Sequence, residues 1–116
     1  MNDARSRPDV RTGAEFSKAA GLDVTVHGRY VAAVQPVRGG RGSRPTDRAL
    51  VELSDGTEVW LEPLDQPASI RTEVERHQFN GTAVRVRGRA HRVMPSIGQG
   101  LVAPCLTGVH DLQSEA

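Results

Sequence analysis

An all-β fold with one short helix is the class this sequence predicts, and three observations carry the prediction. Leu22, Val24, Val26, Gly28, Tyr30, Ala32 and Val34 hold one parity, interleaved with Asp23, Thr25, His27 and Arg29. Alternation of this length is the mark of a strand with one buried face. An Asp55-Gly56 pair stands between two more alternating runs, the strongest short-range hairpin signal. A third alternation, Val84 and Val86 against Arg85, Arg87 and Arg89, follows Thr72 and Glu75, which have helix-cap spacing.

In chain order, residues 1–20 are polar, carry Pro8 and Gly13, and show no sustained period. They are expected to form a flexible tail, because a helix limited to Ala14–Ala20 is marginal alone. The long strand starts after Gly21 and ends at Pro36, which cannot donate to a ladder. Its Gly28 permits a bulge or a sharp coil. Residues 38–48 read as a loop. Val51 and Leu53 lead into the tight turn, Val59 and Leu61 lead out, and Pro63 ends the second arm. Thr72 and Glu75 have capping-box spacing, Ile70, Val74 and Phe79 form a small apolar face, and Asn80-Gly81 is a stop signal. A helix over about 69–79 follows. Two strands remain, 82–89 and about 101–112, the latter interrupted by Pro104 and Gly108 and therefore read as edge or bulged. The domain is expected over 21–113, with 114–116 frayed.

Five strands with a helix between the third and fourth, a glycine in the first strand, and the run FNGTAVRVRGRA resemble the OB-fold, a small Greek-key barrel. The resemblance implies a five-stranded OB-like Greek-key barrel over about residues 22–112. It also implies a binding face on the second and third strands (49–62), flanked by loops 38–48 and 93–100.

The total charge of +1 points to no particular partner, but the charge is zoned. Arg29, Arg38, Arg41, Arg44 and Arg48 face only Asp47 over 27–48, whereas 49–75 holds seven acids against Arg71. If Val59 and Leu61 point inward, then Glu58, Trp60 and Glu62 point outward, joined by Glu52 across the hairpin. An exposed Trp ringed by carboxylates suits a protein-interface anchor. The competing reading is single-stranded nucleic acid, contacted by Arg38, Arg41 and Arg44 in the loop and by Arg85, Arg87 and Arg89 along one strand side. Against it, aromatic residues are only 3%, too few for several stacking platforms. The expected role is thus a non-catalytic binding module with a protein partner, and nucleic acid is the alternative.

Enzymatic signatures are missing from the sequence. His27, His77, His91 and His110 have no zinc-ligand spacing, and no nucleophile elbow or phosphate loop occurs. The single Cys105 reads as a small core residue, and neither a cofactor nor a metal is expected. No stretch is long and apolar enough to span a membrane, and the first residues lack the apolar core of a secretory signal. One cysteine closes no internal bridge, so a reducing cytoplasm is the expected compartment.

Overall fold

The computed structural model of the chain describes residues 7–33, 48–62, 71–92 and 104–115. Its elements are β1 (Asp9–Val10), α1 (Gly13–Lys18), β2 (Asp23–Ala33), β3 (Arg48–Glu52), β4 (Glu58–Trp60), α2 (Glu73–Phe79), β5 (Ala83–His91) and β6 (Cys105–Ser114). The expected loop 38–48, apart from Arg48, and the turn 93–100 lie outside the described residues, as do Pro36, Pro63 and Ile70.

β2 is long enough to serve two neighbours. Its first part, Asp23 to Arg29, pairs antiparallel with β5, and its second, Arg29 to Ala33, pairs antiparallel with β3. The hand-over falls at Gly28, where a Cβ would stand 2.5 Å from the Glu52 carbonyl oxygen and 2.6 Å from Val51 Cγ1. Only a residue without a side chain lets β3 approach so closely. β3 and β4 form the hairpin, β4 meets β6 in parallel at Trp60–Cys105, and β6 returns antiparallel along β5. The result is a closed five-stranded mixed barrel. β5 lies beside β2 after three consecutive antiparallel strands, the Greek-key order.

The expected parity holds in the wall. Val24, Val26 and Tyr30 of β2, Ala49 and Val51 of β3, Val59 of β4, Val84, Val86 and Ala90 of β5, and Leu106 of β6 are buried in one core. Leu22 departs from it, half exposed just before β2 begins, and so does Thr25, which lies on the outward parity yet is buried where β1 pairs with β2. β6 is bulged as its glycine suggested. The register slips between Arg85 and Arg87 and again between Arg87 and Arg89, and both Gly108 and Asp111 take positive φ. Such bulges blunt a strand against edge-to-edge pairing.

Two corrections concern the ends. The segment read as a tail is built into the core over residues 9–19: Val10 and Phe16 are each 1% exposed. β1 lies parallel on β2, and Thr12 caps α1 through a complete capping box with Glu15. The Gly13 amide donates to Asp55 at 2.9 Å, and the Ser54 amide to the Arg11 carbonyl at 3.0 Å. At the other end, β6 runs on to Ser114, and the Glu115 amide donates to the Ala83 carbonyl, so the chain does not fray at 114.

α2 begins later than position 69. Thr72 caps it, accepting from the Glu75 amide at 3.1 Å, but the Glu75 carboxylate does not reach back to complete a capping box. It accepts a hydrogen bond from the Tyr30 hydroxyl at 2.7 Å and takes Arg71 at 3.4 Å. With the Tyr30 and Phe79 rings 5.9 Å apart, and the Ala32 amide donating to Asn80, these contacts seat α2 on β2. Val74, read as part of an apolar face, is 75% exposed.

A candidate binding face on the hairpin

The β3–β4 hairpin positions its outward side chains by register. Leu50 lies opposite Trp60 and Glu52 opposite Glu58, while Val51 and Val59 fill the barrel between them. The turn is closed by the Leu53 amide on Thr57 and the Gly56 amide on Leu53. Asp55 fastens it further, accepting from the Gly13 and Thr57 amides, and those donors, Gly13 first, hold its carboxyl below the ordinary range.

Trp60 lies on the outer side as its parity implies, yet it is half-buried. Its row continues from Leu50 on one side to Cys105 on the other, and both of those neighbours are buried. The indole is therefore held in place while part of it meets solvent. That is the condition of an anchor rather than of a loose surface residue.

The acidic ring around it is smaller than the sequence implies. Glu62 is only 1% exposed. β4 ends at Trp60, the chain bends at Leu61 and Glu62, and two consecutive side chains are buried where strict alternation would have put the second in water. Glu52 and Glu58 keep their outward places. Like charges placed opposite each other across a ladder repel. Arg29 answers one of them, 2.9 Å from Glu52. Glu58 is exposed and has no ion-pair partner among the described residues.

The alternative site divides differently. Arg38, Arg41 and Arg44 lie outside the described residues. Arg85, Arg87 and Arg89 do share one outward side of β5, as expected, but each is already engaged. Arg85 donates to Gln113 at 2.6 Å, Arg87 pairs with Asp111 at 3.0 Å, and Arg89 donates to the Gly21 carbonyl at 3.0 Å with Asp23 at 3.8 Å.

The four histidines occupy four separate places. His27 touches Asp9 and Glu115, His77 faces Glu73 on α2, His91 reaches Thr107, and His110 reaches the Gly108 carbonyl. Burial, then the nearby Arg89 charge, holds His91 below the usual imidazole range. Cys105 is fully buried. Among the described residues no cluster is arranged to hold a metal ion, and no helix is long and apolar enough to cross a membrane. Comparison with protein-family models, curated proteins and solved structures finds no match for this chain.

Two features had no signal in the sequence. The Tyr30–Glu75 contact joins residues 45 positions apart, and His27 joins groups 18 and 88 positions away. No local spacing encodes either one.

Proposed function

We propose that this chain is a non-catalytic binding module on an OB-like barrel, and that the hairpin face of Trp60, Glu58 and Glu52 engages a basic segment of another protein. The OB-like assignment is supported by the Greek-key order, the strand that turns at Gly28 to serve two neighbours, and the helix between the third and fourth barrel strands. The observation that carries the functional reading is that Glu58, with no ion-pair partner among the described residues, lies on the same side as a held, half-buried Trp60. An arginine or lysine of a partner would neutralise that carboxylate and lie against the Trp60 face, a cation–π contact worth about 0.5–2 kcal/mol. The cytoplasm is taken as the compartment, on the single, buried cysteine.

A labelled arginine-rich peptide, followed by anisotropy, tests the proposal. Saturable binding is expected, weakened about two- to fivefold by Glu58→Gln, the scale of one exposed ion pair. Trp60→Ala should weaken it about tenfold or more, as loss of an anchor does. Affinity untouched by both substitutions would overturn the hairpin reading. Binding of a single-stranded oligonucleotide with a steep salt slope, lost in Arg87→Ala, would move the function to the β5 flank.

A further inference from the structure

His27 projects from the outer side of β2, with its side chain only 12% exposed. One ring nitrogen, Nε2, lies 2.9 Å from Asp9 Oδ1 of β1, and the other, Nδ1, lies 2.8 Å from Glu115 Oε2 just beyond β6. The two nitrogens face away from each other, so the carboxylates flank the ring and do not converge on a common point. A single imidazole thus ties the N-terminal segment and the C-terminal end of the chain to the same strand.

Carboxylate oxygens accept hydrogen bonds and cannot donate them. Both contacts hold together only when both ring nitrogens carry a proton, and a neutral ring can donate to one side alone. We propose that Asp9, His27 and Glu115 form a protonation-dependent clasp that holds β1 and α1 against β2 and slackens when His27 gives up a proton to solvent.

Exposure decides which arm is lost. The Asp9 carboxylate is 58% exposed and can be taken over by water, whereas Glu115 is 29% exposed and its backbone amide is fixed on Ala83. The neutral ring therefore keeps Glu115 and releases Asp9. β1 is then held by its two-residue ladder and the Thr25 amide on the Pro8 carbonyl. Slackening there uncovers the edge of β2 that β3 leaves free before Gly28, an edge able to accept an added strand.

The other charges around His27 are already occupied or lie to the side. Arg85, directly opposite on β5, is bound to Gln113, and Arg29, further along β2, is bound to Glu52. Arg11 and Glu52 line the same cleft as His27 and Glu115. None of them is hydrogen-bonded or ion-paired to the ring, whose partners among the described residues are Asp9 and Glu115.

Amide exchange of the full chain, expressed as protection over each amide's intrinsic rate, tests the clasp. The comparison runs from about pH 5 to about pH 8, the range over which imidazole is the side chain that changes charge. Protection at Thr25 should fall about tenfold at the higher pH, the scale of one charge-assisted hydrogen bond, while Val84 and Val86 hold theirs. In Asp9→Asn the amide can donate to a neutral ring or accept from a protonated one, so the step should vanish with protection kept. In His27→Gln the step should vanish with protection low throughout. A flat profile in the unaltered chain, or a step that survives Asp9→Asn, would overturn the proposal. The Asn variant decides the matter even if the Gln variant does not fold.

Discussion

Glu58 and Glu52 stand opposite each other on the hairpin, and one arginine serves the pair. This arrangement is unfavourable for folding, so removing the unanswered charge should help the fold. Glu58→Gln is expected to raise stability by about 0.2–1 kcal/mol, the scale of a cross-strand pair, in urea unfolding. The same substitution should weaken capture of the basic peptide, and opposed signs in the two measurements would identify Glu58 as a binding residue. A stability loss on Glu58→Gln would mean that the carboxylate has a structural duty. Tyr30 is a second case at this scale. Burial, then its hydrogen bond to Glu75 and that carboxylate's charge, hold its hydroxyl well above the ordinary tyrosine range, outweighing Arg71 and Arg76. A group raised in the folded state adds stability that is whole below its unfolded value and is lost as the pH climbs past it. The barrel should therefore weaken above about pH 10. Tyr30→Phe should cost about 1 kcal/mol at neutral pH and blunt that alkaline loss, as thermal unfolding across the pH range would show.

Among the elements, α1 depends on its neighbours, since six residues cannot hold a helix alone. Phe16 packs it into the core and Asp55 bonds its first amide. Asp55 is depressed by the Gly13 amide first and the Thr57 amide next. Its contribution is accordingly present above the ordinary carboxylate value and is lost as the pH falls through its lower folded one. Exchange protection of the Gly13 amide should drop below about pH 4 in the native chain and show no such acid step in Asp55→Asn, whose amide does not titrate there. This element also shows what the sequence conceals. β2, the hairpin and β5 were legible because each repeats its apolar parity several times within itself. Val10, Phe16 and Ala19 belong to no period; their burial arises from the barrel they meet, which local pattern does not describe. Glu62 escapes the pattern for a related reason, since alternation predicts sides only while the strand lasts, and β4 stops at Trp60.

Across the whole molecule, two charged faces differ in what they have left to offer. The arginines of β5 are spent largely on Gln113, Asp111, Asp23 and a carbonyl of their own chain, whereas Glu58 on the hairpin has no ion-pair partner among the described residues. Zoning of charge was visible in the composition of segments, but its internal cancellation required the register of β5 on β2 and β6. The binding face was therefore half legible: Trp60, Glu58 and Glu52 by parity, and the discharge of the arginine row only by pairing. Amide chemical-shift mapping of the full chain with an arginine-rich peptide tests this division most directly. Shifts gathered on residues 50–60, with Arg85, Arg87 and Arg89 unmoved, are the predicted result; shifts gathered instead along β5, or produced there by a single-stranded oligonucleotide while the hairpin stays silent, would contradict it.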